Sequence, residues 1–312
     1  MRVRFGVIRA VALLLLLAVV LVVSAVRVMD HLYARRVETR YVQWEESVER
    51  DEHGVRREFA PLIAGEGDVG ILFVHGFAGS PSLYRYFVPY FTERGFACRA
   101  IRLPGFGEVV DRAAEVRRED WVRAVRTAAE EMREAHDALW IVAHSLGATL
   151  TLRVLQEDPS LADGVILLAP LVEVSEERSP LLAPDEWFAF GEWLLLESRM
   201  LESAFPIDAH DPQVREKDER DLFIPLSLYA ELFALLDDLD AHAVTLDIPV
   251  MMVLSTRDKI VDPHAAKHWF SAWGHERNRL LLVEPAGHVI PLDTGWEDVL
   301  REIEAFIAER EE

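Results

Sequence analysis

The chain is poor in cysteine and in lysine. Its single cysteine, Cys98, excludes any internal disulfide. The thiol sits in the apolar pattern FACRAI, which marks it as a packed side chain rather than a nucleophile. Positive charge is nearly all arginine, with Lys217, Lys259 and Lys267 the only lysines. Basic residues are outnumbered, 33 against 54 acidic ones, for a net charge of −21 at pH 7. Such a surface repels phosphate, which excludes nucleic acid as a partner. There is no internal repeat and no low-complexity segment, so solenoids and long disordered tracts drop out. What remains is 312 residues, 51% of them hydrophobic, enough for one large α/β domain or a domain with an insertion.

Charge is also missing from one stretch near the start. Residues 10–26 read AVALLLLLAVVLVVSAV. As a helix this run is about 26 Å long, and Phe5, Val7, Ile8, Val28 and Met29 extend it. A core helix of this length would show a polar face, and this one has none. The expectation is a single membrane-spanning anchor over residues 8–29, with Arg9 and Arg27 reaching to the headgroups. Residues 1–36 would then be anchor and juxtamembrane segment. The rival is a signal peptide cleaved near Ala25, with Val23 and Ala25 at the −3 and −1 positions, which would give a secreted protein. Arg2, Arg4 and Arg9 before the span are balanced by Arg27, Arg35, Arg36 and Arg40 after it, so the positive-inside rule selects neither orientation.

From residue 37 onward strands and helices alternate. VETRYVQW (37–44) and VRREFAP (55–61) read as an antiparallel pair around the turn DEHG. GILFVHG (70–76), FACRAIR (96–102), ALWIVAH (138–144), GVILLAP (164–170), PVMMVLS (249–255) and RLLLVE (279–284) read as strands buried on both faces. Helices are expected over Pro81–Arg94, Glu119–His136, Leu146–Glu157, Pro263–Trp273 and Trp296–Glu309. The alternation implies a mostly parallel sheet with helices on both faces. It breaks once, over residues 171–248, which read as a helical, aromatic-rich insertion.

The stretch VAHSLGA (142–148) places Ser145 where a strand meets a helix. Ligands of open α/β sheets bind at the carboxyl ends of the strands. A serine in a tight strand-to-helix turn needs small residues two positions away on each side, and Ala143 and Gly147 supply them. This is the nucleophile-elbow pattern with alanine for its first glycine. A helix-capping serine would not need both small neighbours. The hydroxyl requires a base, and the base an orienting acid, at later strand ends. Asp258 follows PVMMVLS, and His288 follows RLLLVE. Asp262 is an alternative acid. His75 would brace the loop after its strand, while His144 would point away from the serine. The oxyanion donors are expected from the backbone N–H of Leu146, at a helix N-terminus, and of Phe77 in the glycine-rich loop HGFAGSP.

VHGFAGSP (74–81), IRLPGFGE (101–108), VAHSLGA (142–148), PVMMVLSTRDKIVDP (249–263) and PAGHVIPLD (285–293) together resemble the α/β-hydrolase superfamily, and within it bacterial carboxylesterases and monoacylglycerol lipases. The resemblance implies an eight-stranded, mostly parallel sheet over residues 37–312. It places a helical cap, residues 171–248, between strands six and seven. It implies a triad of Ser145, Asp258 and His288, with Phe77 and Leu146 at the oxyanion. The loop after strand four departs from the family's usual P-G-H-G, carrying Phe106 where histidine is common. Trp187, Phe188, Phe190 and Trp193 in the insertion are candidates for an acyl-chain site. The expected function is hydrolysis of carboxylic esters, including lipid esters such as monoacylglycerols, by acyl transfer through Ser145. That chemistry needs no metal or organic cofactor. The partners are then a small-molecule or lipid ester and, through the N-terminal helix, a membrane. An acyltransferase would use the same residues, and an inactive membrane-bound interaction module is the non-enzymatic alternative.

Overall fold

The computed structural model describes residues 2–176, 183–203, 206–238 and 245–309, and side chains from residue 12 onward except Glu192 and Trp193. The acyl-site candidate Trp193 therefore lies outside the described side chains. The chain opens with one unbroken helix, α1 (Arg2–Glu45). Its apolar half carries large exposed side chains from Leu13 to Val23. It is the one helix among the described residues long and apolar enough to cross a membrane.

Sequence order then gives β1 (Leu62–Ala64), β2 (Val69–Val74), α2 (Phe87–Thr92), β3 (Ala97–Ile101), α3 (Val110–Ala113), α4 (Arg118–Ala135), β4 (Ala138–His144), α5 (Leu146–Glu157) and β5 (Gly164–Leu168). Next come α6 (Pro184–Leu194), β6 (Met200–Glu202), α7 (Pro212–Glu216), β7 (Phe223–Pro225) and α8 (Leu226–Asp238). The fold closes with β8 (Val250–Ser255), α9 (Pro263–Phe270), β9 (Arg279–Val283) and α10 (Trp296–Ala308).

The main sheet has seven strands in the order β1-β3-β2-β4-β5-β8-β9. Only β1 runs antiparallel, against β3. Its central strands are buried on both faces, which is why they read as continuous apolar runs. Alternate residues serve opposite cores: Leu139, Ile141 and Ala143 of β4 face one layer of helices, Trp140 and Val142 the other. β6 and β7 form a separate antiparallel ribbon.

The structure corrects the two strands expected ahead of residue 62. Residues 37–44 are not a strand but the last turns of α1, and residues 55–61 hold a single antiparallel bridge from Arg56 to Arg50 and a short 3-10 turn at Arg57–Phe59. The physical reason is that an existing helix extends without a new nucleation cost. Val37, Tyr41 and Trp44 then form an i, i+4, i+7 stripe that packs with Val110, Met200 and Phe223. The edge strand is instead the short β1, so the sheet has seven strands rather than eight. The chain leaves the sheet for α6–α8 after its fifth strand. The expected helix over Pro81–Arg94 is split into a 3-10 turn at Pro81–Tyr84 and α2.

Strand order reverses beside β2: the chain passes first to β3 on one side and then to β4 on the other. The carboxyl ends of β2 and β4 thus flank a topological switch point, where ligands of such sheets bind.

The C-terminal part of α1 is bonded to the elements after β5. The Asp30 carboxylate accepts from Leu196 N and Glu197 N at 2.8 and 2.9 Å and from Ser198 Oγ at 2.8 Å. Arg40 pairs with Glu202 at 2.6 Å. Deleting residues 1–24 is therefore expected to leave a monodisperse domain with its melting temperature intact. Deleting 1–36 removes Asp30 and should cost about 1–2 kcal/mol, as loss of a capping side chain does, lowering the melting temperature by about 2–4 °C per kcal/mol. Thermal unfolding of the two truncations checks this, and equal melting temperatures would count against it.

Candidate active site

The turn between β4 and α5 is under backbone strain. Ser145 has φ 52° and ψ −120°, a region that non-glycine residues rarely enter. Close packing enforces it. A Cβ at Gly147 would stand 2.4 Å from Val74 O and 2.6 Å from His75 O, both backbone atoms that cannot swing away. A Cβ at Gly76 would meet Ser145 Cβ at 2.9 Å. The turn is thus wedged against the end of β2, and the wedge presents Ser145 to a cavity of about 310 Å³. The Ser145 side chain makes no capping bond to its helix, so capping does not account for the residue.

His288 and Ser145 line the same cavity. His288 Nδ1 donates to Asp258 Oδ2 at 2.7 Å. The other carboxylate oxygen, Oδ1, accepts from Ile260 N and Val261 N at 2.8 and 2.9 Å. Burial pushes the Asp258 pKa up, but the charge and hydrogen bond of His288 and these two N–H donors outweigh it and hold the carboxyl below its usual value. An ionised Asp258 keeps the proton on Nδ1 and leaves Nε2 to accept one. The alternative acid, Asp262, caps α9 through His264 N and Ala265 N. Among the described residues no hydrogen bond joins Ser145 Oγ to His288; such bonds are often long without substrate and tighten when it docks.

The strand ends supply these groups in adjoining pairs. β2 and β4 are neighbours and carry the Phe77 loop and Ser145; β8 and β9 are neighbours and carry Asp258 and His288. In the Phe77 loop, His75 Nδ1 donates to Gly76 O at 2.8 Å, and Leu103 N donates to His75 Nε2 at 3.1 Å. The Phe77 ring packs on Phe106 and Tyr229, 5.3 and 5.0 Å between centroids. The Leu146 side chain is buried in the core. Its N–H, in the first turn of α5, has no intrahelical partner.

Sequence reasoning missed three residues that hold His288 and its loop. His144 does not point away from the site: its Nε2 donates to His288 O at 2.9 Å, and the two rings lie 4.7 Å apart. Asp208 accepts from His288 N and Lys259 N at 3.1 and 2.9 Å. The fully buried Asp293 accepts from His210 N, Asp211 N, Gly287 N and Thr294 N at 2.5–2.8 Å. All three act on main-chain groups, which leave no mark in a sequence; only the proximity of Asp293 to His288 hinted at it.

The cavity wall is mostly apolar and includes Leu171, Ile207, Ile224, Leu232 and Val289. Of the acyl-site candidates, Trp187, Phe188 and Phe190 are not among its lining residues. Phe188 packs behind two lining residues, Tyr229 and Phe233, at 6.2 and 5.1 Å. Trp187 and Phe190 are exposed at the surface. The difference between these rings has a helical cause: residues 187 and 188 are about 100° apart around α6, so one aromatic faces inward and the other outward.

A sequence model of the family described as serine aminopeptidase, S33, matches residues 66–295. The chain belongs to this family. Its fold is that of the α/β-hydrolases. A thermostable monoacylglycerol lipase from Bacillus sp. (strain H-257) is 23% identical over 233 residues, 75% of this chain and 88% of the relative. A carboxylesterase from Bacillus subtilis (strain 168) is 22% identical over 250 residues, 79% of this chain and 95% of the relative. A solved structure described for the metagenome-derived lipolytic enzymes LipS and LipT superposes with a TM-score of 0.71 at 23% identity, covering 82% of this chain and 99% of that one.

Within this S33-family site, burial depresses the pKa of two histidines, His75 to about 4 and His144 to about 3, the latter also through His288. Both bind fewer protons folded than unfolded. The stability they contribute is complete above about pH 6.5 and drains as pH falls towards their folded values. Asp221 runs the other way: burial raises it to about 6, so it weakens the fold as pH rises from 3.8 through 6. Two histidines outweigh one carboxylate, and the melting temperature is expected to fall between pH 7 and pH 5. In His144→Gln that fall should be shallower, and an unchanged slope would contradict the assignment.

Proposed function

We propose that this protein is a membrane-anchored serine esterase or lipase that hydrolyses carboxylic esters through an acyl-enzyme on Ser145. The observation that carries this reading is the mostly apolar cavity reached by both the strained Ser145 turn and a buried His288–Asp258 pair. His288 Nε2 takes the Ser145 proton as the oxygen attacks the ester carbonyl. The N–H groups of Phe77 and Leu146 hold the developing oxyanion, each donor being worth about 10²–10³ in rate. The alcohol leaves with the proton from His288. Water, deprotonated by the same imidazole, then releases the acid and restores the serine.

The family's name includes aminopeptidases, which bind a positively charged amine. Here the carboxylates at the cavity already have partners: Asp221 with Arg56 at 3.2 Å, Glu219 with Arg85 at 2.7 Å, and Asp208 with backbone N–H groups. That favours an ester over a peptide. The apolar wall, the monoacylglycerol lipase among the relatives and the apolar half of α1 together favour a lipid ester such as a monoacylglycerol. In this reading residues 1–36 are anchor and juxtamembrane segment, and residues 171–248 are a cap over the site. An acyltransferase would use the same residues; release of free acid with no added acceptor separates the two.

Ser145→Ala is expected to abolish hydrolysis of p-nitrophenyl esters with little change in melting temperature. Asp258→Asn, which favours the wrong tautomer of His288, should lower kcat by about 10⁴. Fluorophosphonate labelling provides the parallel check: folded protein that forms no adduct on Ser145 would instead be an inactive binding module.

A further inference from the structure

We propose that α6 and the turn after it lie in the headgroup layer of the bilayer that α1 enters, and that Asp30 holds them there. The proposal rests on the anchoring read above. A span over residues 8–29 is about 33 Å long, against about 30 Å of hydrocarbon. Asp30 therefore stands at the boundary, on the side of the catalytic domain.

At that boundary the helix grips the chain just after α6. Asp30 is only 3% exposed, and its two oxygens take Leu196 N, Glu197 N and Ser198 Oγ. One turn earlier, Arg27 Nη1 donates to Leu194 O at 3.5 Å. One residue later, His31 Nδ1 meets Glu197 Oε2 at 2.6 Å. Residues 194–198 cannot move away from the membrane surface while α1 stays inserted and these bonds hold.

The segment presents large apolar side chains there. Trp187, Phe190 and Leu194 fall at i, i+3 and i+7 on one face of α6. Trp187 is 39% exposed, Phe190 46% and Leu196 66%. Aromatic rings favour the interface between headgroups and acyl chains. An 11-residue helix is too short to span and suits a position along the surface. The net charge of −21, with Asp185 and Glu186 in the first turn of α6, selects a zwitterionic over an anionic surface. The other face of α6 carries Phe188 onto Tyr229 and Phe233, two residues of the cavity wall. One short helix thus separates the lipid from the cavity.

Nitroxide labels on the full-length chain in phosphatidylcholine vesicles test this. Cys98→Ala removes the native thiol, and Phe190→Cys, Leu196→Cys, Leu16→Cys and Glu130→Cys each add one label site. Relaxation by oxygen, concentrated in lipid, is compared with relaxation by an aqueous nickel chelate. The expected pattern is lipid exposure at 16, aqueous exposure at 130, and a clear shift from the 130 value towards lipid at 190 and 196. Adding Asp30→Ala should return 190 and 196 to the value at 130 and leave 16 unchanged. An aqueous signal at 16 would overturn the anchoring reading itself. Lipid at 16 with fully aqueous 190 and 196 overturns this proposal alone. Lipid exposure at 190 and 196 that survives Asp30→Ala overturns the role of Asp30.

Discussion

The carbonyl oxygens of Val74 and His75 stand where any side chain at position 147 would have to go. That contact between the end of β2 and the first turn of α5 leaves the β4–α5 connection no relaxed alternative. It drives Ser145 to positive φ, turns its side chain away from the helix cap and towards the cavity, and brings Gly76 against Ser145 Cβ. The cost of the strained residue is borne by the surrounding sheet, whose central strands are buried on both faces. Because the same wedge holds the β2 loop, Ser145 and the Phe77 N–H are positioned by one packing event rather than two.

The imidazole across the cavity is held by a different device. His288 sits on a connection after β9, away from the wedge. Its ring is tied to Asp258, and its main chain is tied to Asp208 and His144. Asp293 gathers four N–H groups from two distant segments and so fixes the loop that carries His288. Buried carboxylates persist only with such satisfaction, since an unpaired one would be too costly to desolvate. Asp221 repeats the arrangement beside the Phe77 loop. It accepts from Gly107 N at 2.6 Å and pairs with Arg56, while its own N–H donates to Ala78 O at 3.0 Å. The elements after β5 are thereby fastened to both halves of the site and, through Asp30, to α1.

The strands and helices around Ser145, Asp258 and His288 were legible because periodicity and turn chemistry were local. ALWIVAH and the helix from Leu146 to Glu157 have the expected bounds. The failures have a common origin. Residues 37–44 alternate well enough to pass for a strand, but continuation of α1 and packing on Met200 and Phe223 decide otherwise. Phe188 and its neighbours Trp187 and Phe190 looked equivalent as aromatics, and only the packing of α6 on α8 separates the inward ring from the outward two.

The sequence by itself determined the order of the elements from β2 onward in the main sheet, the small residues flanking Ser145, the candidates Asp258 and His288, and a charge-free stretch over residues 10–26. These are properties of short windows, set by side-chain size, period and charge. Tertiary structure alone decided which aromatics line the cavity, that His144, Asp208 and Asp293 hold His288 and its loop, and that Asp30 joins α1 to the chain after α6. Those contacts bridge residues up to 168 positions apart. Many end on backbone N–H and C=O groups that every residue possesses, so no side-chain pattern can announce them.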